Sequence, residues 1–184
     1  MSNENTNINS EAAAVSAHKL VLNMPAVEKF RRSMLSWFKQ RVFLLTKLPA
    51  GFFMGFRVKS ITTEACEVTM PYGWRSKNPF KSIYFAAQMG AAELSTGALA
   101  ILALQGQPPV SMLVSEASGK FTKKATKRTS FVCKDADKIF TAVAETLATG
   151  EGRTVTVESV GTQEDGVEVG RFYFTWSFKA KAKK

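Results

Sequence analysis

The chain has 184 residues, of which 45% are hydrophobic and 22% are charged, a composition typical of a folded globular protein. With 25 Lys and Arg against 15 Asp and Glu, its formal net charge is 25 − 15 = +10. This charge favours an anionic partner such as nucleic acid, a membrane surface or a phosphorylated ligand. Cys66 and Cys133 are too few for a disulfide framework, and the single histidine, His18, cannot form a metal cage. We therefore expect no metal, and neither a zinc enzyme nor a Ser-His-Asp hydrolase.

The first ten residues, MSNENTNINS, are polar and mildly acidic, unlike the basic start of a signal peptide. Together with two unpaired thiols, this predicts a cytoplasmic protein. We expect a flexible tail over residues 1–17, one domain over 18–178 and a basic tail over 179–184.

Apolar residues recur at helical spacing between residues 25 and 48, with Lys and Arg in the gaps. Pro25 at one end and Pro49-Ala50-Gly51 at the other predict one helix over about 25–48. The pattern is typical of an amphipathic helix packed on the domain. Basic helices with Trp and Phe also lie on membrane surfaces, and that interpretation stays open.

Residues 56–60 and 66–70 alternate apolar with polar side chains, which predicts two strands or a hairpin. An Ala- and Gly-rich stretch predicts a second, central helix over about 83–104. Its length suits a membrane span, but Gln88 and Glu93 near its middle make insertion into a bilayer costly. We predict a helix buried in protein, and no membrane span.

Four segments of the C-terminal half have strand patterns: 110–114, 120–133, 153–163 and 167–179. Residues 135–147 fit a helix or a strand equally well. Glu164-Asp165-Gly166 predicts a turn between the last two strands. A bulge is expected at Gly170, where the apolar positions change from odd to even. These patterns predict an α+β domain in which a long antiparallel sheet packs around the central helix.

The segment Asn78-Pro79-Phe80-Lys81-Ser82-Ile83-Tyr84-Phe85-Ala86, followed by Glu93, resembles the hotdog-fold thioesterases. The resemblance is to the phenylacetate-degradation (PaaI-like) type and to a closely related uncharacterised thioesterase-like family. Asn78 lies six residues before Tyr84, and Glu93 lies nine residues after it. These are the positions of an Asn, the His of a His-Gly-Gly and a helical acid in that superfamily.

The likeness extends over about 48–178 and implies a hotdog fold, with the first helix as an addition. Tyr84-Phe85-Ala86 stands where the relatives have His-Gly-Gly. The bulk of Phe85 in place of glycine is expected to narrow or block the site.

The resemblance implies an acyl-CoA thioesterase. The thioester carbonyl would meet the backbone N–H of Phe85, which forms an oxyanion hole, while Asn78 holds the carbonyl or the attacking water. Glu93 would act as general base or nucleophile. No cofactor is implied beyond the coenzyme A of the substrate, and the site would form in a homodimer or a dimer of dimers.

Seven further residues are candidates for substrate binding: Tyr84, Thr96, Trp74, Lys123, Lys124, Lys127 and Arg128. The four basic residues would hold the phosphates of coenzyme A. On a strand, Lys123 and Lys127 would share one face and Lys124 and Arg128 the other, so they could not all meet one ligand.

Structural alternatives stay open for these residues. Glu93 also fits a dimer seam or a helix surface, Thr96 a local hydrogen bond, and the lysines a solvated strand edge. A non-catalytic hotdog protein that binds acyl-CoA or another acyl ligand is the main alternative function. A nucleic-acid or anionic-membrane binder is the third, although no nucleic-acid-binding motif is present and no nucleic acid is expected.

Overall fold

The computed structural model describes residues 19–181. The elements in chain order are α1 (Met24–Leu35), α2 (Trp37–Lys47), α3 (Pro49–Met54), β1 (Arg57–Ile61), β2 (Cys66–Met70), α4 (Phe85–Ala103), β3 (Val110–Phe121), β4 (Thr129–Cys133), α5 (Ala136–Thr149), β5 (Arg153–Gln163) and β6 (Glu168–Ala180). The tail predicted over 1–17, His18, and residues 182–184 lie outside the described residues. Lys179 and Ala180, predicted to begin a basic tail, instead end β6 and pair with β3.

The six strands form one antiparallel sheet in the order β1-β2-β4-β5-β6-β3. The hairpin predicted from residues 56–70 is β1–β2, and the predicted turn at 164–166 joins β5 to β6 with Gly166 at a φ of 85°. Helix α4 packs against this sheet, with most of its residues buried. The predicted α+β arrangement around a central Ala- and Gly-rich helix is confirmed.

Small side chains let α4 lie close to its neighbours. A Cβ on Gly90 would lie 3.3 Å from the Phe56 ring, and one on Gly97 would lie 3.1 Å from the Trp176 ring. The hydroxyls of Ser95 and Ser159 are 2.8 Å apart and join the helix to β5. The helix is long and apolar enough to cross a membrane, but 67% of its most apolar window is buried inside the protein.

The prediction of one helix over 25–48 is wrong. The chain leaves the helical conformation at Ser36, which has extended backbone angles and separates α1 from α2. The buried Gln40 side chain explains why the break is stable. Its amide donates to the carbonyl of Met34 near the end of α1 and, at 2.9 Å, to the carbonyl of Val58 in β1. Pro49, expected to end the helix, begins α3, since the first turn of a helix tolerates proline.

The bulge predicted at Gly170 is present, with the neighbouring Val169 as its extra residue. Gly161 of β5 lies opposite Gly170 of β6. The next residue of β5, Thr162, lies opposite Glu168, so Val169 is the extra residue. Val169 and Gly170 are both buried, which accounts for the change of phase in the sequence.

The prediction of one basic strand over 120–133 is wrong, because β3 ends at Phe121 and β4 begins only at Thr129. Between them, Oε1 of Gln163 accepts the backbone N–H groups of Thr126 at 2.7 Å and Lys127 at 3.0 Å. These two amides therefore bond to a side chain instead of a neighbouring strand. The segment at 135–147, which fitted helix or strand, is helix α5.

Cys66 and Cys133 lie opposite each other on β2 and β4 and are buried, free thiols. Burial raises the pKa of both thiols, that of Cys133 to about 12. Since the thiolate is the reactive form, neither residue is a nucleophile at neutral pH.

Replacing Gln40 tests the connection between α1, α2 and β1. In Gln40→Leu the two carbonyls lose a buried donor, which should lower the free energy of unfolding by about 1–3 kcal/mol. Urea unfolding measures the change, with the exposed Lys39→Leu as the matched control. A Gln40→Leu protein as stable as that control would show that the hydrogen bonds do not hold the break in place.

Candidate functional site

A cavity of about 440 Å³ opens at the N-terminal end of α4. Its lining comes from the loop before α4, the first turn of α4, and the end of β3 with the loop after it: Asn78, Phe80, Ser82, Ile83, Phe85, Gln88, Phe121, Thr122, Lys123, Lys124 and Ala125. The N–H of Ile83 donates to the carbonyl of Ala125 at 2.7 Å, which holds the two loops together. A larger cleft, of about 570 Å³ between residues 19–22 and α5, contains none of the predicted site residues.

Asn78 shapes the loop that precedes the helix. Its Oδ1 accepts the backbone N–H groups of Phe80 at 3.0 Å and Ser82 at 3.2 Å, and also the Ser82 hydroxyl. Its Nδ2 donates to the carbonyl of Ile83 at 3.4 Å. The side chain that was predicted to hold the carbonyl or a water is thus engaged with its own loop, at the edge of the cavity.

The N-terminus of α4 faces the cavity without a cap. Tyr84 is the N-cap residue, and among the described residues no side chain bonds to the first amides of the helix, which begin at Phe85. Unpaired N–H groups and the helix dipole make this end electropositive. It is suited to receive a carbonyl oxygen or an anion.

Phe85 forms one wall of the cavity and does not fill it. Its ring is 56% exposed and makes edge-to-face contacts with Tyr84, at 4.9 Å between centroids, and with Phe121, at 6.3 Å. Phe121 in turn contacts Phe172 of the core at 5.3 Å. The expected narrowing by Phe85 is therefore partial, because the ring leans towards β3 and leaves the cavity open.

Gln88 is a site residue that the sequence analysis missed. It is only 4% exposed, it lines the cavity, and its Nε2 donates to the carbonyl of Ile83 at 3.1 Å. Its Oε1 is buried and has no hydrogen-bond partner among the described residues. An unpaired buried acceptor costs about 1–3 kcal/mol, so this atom is suited to a donor on a ligand. The available signal was one polar residue in the first turn of an otherwise small-residue helix.

Glu93 lies outside the cavity. It follows Phe85 by eight residues, a rise of about 12 Å along the helix axis. The side chain is partly buried, burial raises the pKa of its carboxyl, and no described residue donates a hydrogen bond to it. A Cβ on Gly97 would lie 3.2 Å from Oε1 of Glu93, so the glycine leaves the space that this carboxylate occupies near Trp176.

Thr96 is fully buried, and its hydroxyl has two partners within the chain. It donates to the backbone carbonyl of Glu93 at 2.9 Å and accepts the indole N–H of Trp176 at 3.0 Å. Thr96 therefore makes the local hydrogen bond that was the structural alternative for this residue. It does not line the cavity.

Lys123 and Lys124 both line the cavity, so the predicted separation of these two lysines onto opposite strand faces is wrong. The residues lie in a loop, where alternation does not apply. Lys124 also reaches the carbonyl of Phe80, at 3.4 Å, across the cavity mouth.

Three predicted binding residues lie elsewhere. The Lys127 ammonium pairs with Asp165 at 2.8 Å, beside the β5–β6 turn, and this carboxylate raises the pKa of Lys127. Arg128 is exposed on the same side, its carbonyl bonded to the N–H of Glu164. Trp74 is 76% exposed and outside the cavity.

An antiparallel sheet packed on a long central helix, with a cavity at the N-terminus of that helix, defines the hotdog thioesterase-like fold. Solved structures share it. A protein of unknown function from Chlorobaculum tepidum has a TM-score of 0.68 at 14% identity, covering 88% of this chain and 99% of that one. A thioesterase from Haemophilus influenzae has a TM-score of 0.58 at 12% identity, covering 77% and 90%. The PaaI protein of the Escherichia coli phenylacetic acid degradation operon has 0.57 at 10% identity, covering 84% and 98%.

Residues 39–178 match the family described as a domain of unknown function, DUF4442, and the chain belongs to that family. No curated protein matches the sequence. At identities of 10–14% the likeness to these three solved structures shows the fold alone.

Substitutions of Thr96 test whether its hydroxyl has the structural role that its two hydrogen bonds indicate. Thr96→Val leaves the buried indole N–H of Trp176 without an acceptor and should lower the free energy of unfolding by about 1–3 kcal/mol. Thr96→Ser, which keeps the hydroxyl, is the control and should stay near the parent in urea unfolding. Equal stability of the Val and Ser variants would contradict this assignment.

Proposed function

We propose that this protein hydrolyses the thioester of an acyl-CoA to a free acid and coenzyme A, acting as a homodimer. The observation that carries the proposal is the cavity at the uncapped N-terminus of α4, lined by two lysines and by Gln88, whose buried Oε1 has no hydrogen-bond partner among the described residues. The thioesterase-like fold supports the same reaction class.

The first amides of α4 would bind the thioester carbonyl. Negative charge develops on that oxygen when the carbonyl is attacked, and preorganised N–H donors stabilise such charge strongly. The N–H of Phe85 is the first of these donors, and the positive end of the helix dipole adds to its effect.

The remaining groups of the cavity match the arm of coenzyme A. Its pantetheine part carries amide N–H groups, one of which would donate to Oε1 of Gln88. Its phosphates would lie between Lys123 and Lys124, which have no carboxylate partner among the described residues. Charge-assisted bonds to phosphate are among the stronger hydrogen bonds.

Glu93 would be the general base, supplied by a second copy of the chain. Within one chain it stands about 12 Å along the helix from the first amides, too far to act on a carbonyl bound there. In the described residues β3 has a neighbouring strand on one side only, and its residues 115–121 are exposed throughout. An antiparallel pairing of β3 with β3 of a second copy would extend the sheet across a two-fold axis beside Phe121.

In this arrangement the hydrolysis of the thioester needs only water and the groups of the two chains. Glu93 takes a proton from a water, and the oxygen of that water attacks the thioester carbonyl. The tetrahedral oxyanion is held by the first amides of α4. Its collapse breaks the carbon–sulfur bond, releasing the acid and the coenzyme A thiolate, which receives the proton.

Hydrolysis assays with short, medium and long acyl-CoAs test the proposal. Glu93→Gln should lower kcat roughly 10²- to 10⁴-fold, the usual contribution of a general base. Gln88→Leu should raise KM roughly tenfold with less effect on kcat, because it removes a hydrogen bond to the bound arm. Gln105→Leu, beyond the other end of α4, is the matched control.

The outcomes separate two functions. No turnover with any acyl-CoA would refute the hydrolase. Tight binding without turnover would instead favour a non-catalytic acyl-CoA-binding protein, a function that Tyr84 and Phe85 in place of His-Gly also fit.

The raised pKa of Glu93 predicts a particular dependence of stability on pH. Burial disfavours the charged form, so the contribution of Glu93 to stability is greatest below its unfolded pKa and is lost as pH rises through the raised folded pKa. Glu93→Gln removes that penalty. The free energy of unfolding of the variant, relative to that of the parent, should therefore increase from pH 4 to pH 7. Urea unfolding at both pH values measures this gain, with the exposed Glu64→Gln as control; a gain of equal size in the control would argue against burial as its cause.

A further inference from the structure

Helix α2 has apolar residues on two opposite sides. Gln40 and Leu44 face the interior and are buried. On the other side Phe38, Val42 and Leu45 follow one another at helical spacing and are 68%, 45% and 54% exposed. A surface helix of a globular protein ordinarily has polar residues on that side. The second apolar side of α2 therefore has no partner within the described chain.

Three further aromatic side chains are exposed in α2, in α3 and in the loop before α4. Trp37, at the start of α2, is 68% exposed. On the adjoining helix α3, Phe53 is 53% exposed and packs edge-on against Trp74, with 6.1 Å between ring centroids. We refer to these residues together as the aromatic surface: Trp37, Phe38, Val42, Leu45, Phe53 and Trp74.

The sequence around the aromatic surface is basic without exception. Between Glu28 and Glu64 there is no Asp or Glu, and there are eight Lys and Arg: Lys29, Arg31, Arg32, Lys39, Arg41, Lys47, Arg57 and Lys59. Among the described residues only Arg31 and Lys59 of this set form ion pairs with carboxylates. The guanidinium of Arg41 lies 4.2 Å from the centre of the Phe52 ring, so a cation lies directly over an aromatic side chain.

The positive charge around the aromatic surface favours an anionic partner. A second copy docked face to face would bring two uncompensated basic surfaces together, which like-charge repulsion opposes. An anionic lipid surface offers negative charge for the lysines and arginines and an apolar boundary for Trp, Phe and Leu. Aromatic side chains flanked by Lys and Arg are typical of helices that lie in the plane of a membrane interface.

We propose that the aromatic surface docks this protein on anionic membranes, with α2 lying in the plane of the interface. The proposal does not rest on the hydrolysis of acyl-CoA, because none of the cavity residues belongs to the aromatic surface. Trp74 lies four residues before Asn78, so the loop at the cavity mouth continues from the docked surface.

Vesicle co-sedimentation tests the docking. The full-length protein should bind vesicles of phosphatidylcholine with phosphatidylserine at least about tenfold better than vesicles of phosphatidylcholine alone, and added salt should weaken the binding. Trp fluorescence should shift to the blue on binding, since Trp37 and Trp74 are exposed whereas Trp176 is already buried.

Two pairs of substitutions identify the surface. Phe38→Ser with Leu45→Ser, and separately Lys39→Glu with Lys47→Glu, should each lower binding about tenfold or more. Lys134→Glu with Lys138→Glu makes the same change of charge on the β4–α5 side and should bind as the parent does. All variants should unfold near the parent in urea, because every substituted side chain is exposed and the surface ion pair of Lys138 with Asp135 contributes at most about 1 kcal/mol.

Four results would overturn the proposal. The first three are equal binding to both kinds of vesicle, no effect of either substituted pair, and equal loss in the Lys134 and Lys138 control. A fourth is a smaller oligomer in sedimentation velocity for Phe38→Ser with Leu45→Ser, without vesicle binding by the parent, which would make the surface a subunit contact. Hydrolysis of soluble short-chain acyl-CoA should be unchanged in the Phe38 and Leu45 variant, so failure of docking and failure of the proposed reaction are distinguishable.

Discussion

The close approach of helix α4 to the sheet is the constraint on which the rest of the structure depends. A Cβ at Gly90 or Gly97 would press on Phe56 or Trp176, and Ser95 is near enough to β5 to share a hydrogen bond with Ser159. Residues of this size are required at these points of closest approach. The packing also fixes where α4 begins, and with it the position of the amides and loops that form the cavity.

Burial of α4 leaves its polar side chains few hydrogen-bond partners, and two of these side chains remain incompletely bonded. Ser95 and Thr96 donate to carbonyls one turn earlier and then reach the sheet. Gln88 and Glu93 are different, because Oε1 of Gln88 and the carboxylate of Glu93 have no donor among the described residues. Since polar groups of a buried helix are ordinarily satisfied, these groups are free to bond the substrate and the water of the proposed reaction.

The sequence patterns predicted those features of the fold that depend on residues close together in the chain. Alternation and turn residues located the two hairpins, and the change of phase near Gly170 located the bulge. The break at Ser36 and the loop after β3 were not predictable, because they depend on Gln40 and Gln163 reaching segments far along the chain. The same limit applies to the site. The family resemblance singled out Asn78 and Phe85, which both line the cavity, but the missing partner of Gln88 is a property of the folded chain alone.

The ring of Phe85 has a consequence for how this sequence can change over evolutionary time. It leans on Phe121, which leans on Phe172 in the core, so the first residue of the helix is continuous with the interior. An aromatic pair contributes about 0.5–1.5 kcal/mol beyond its buried area. Replacing Phe85 with glycine would lose that contact and expose more of Phe121. The stability cost of such a change therefore depends on which residue stands at position 121.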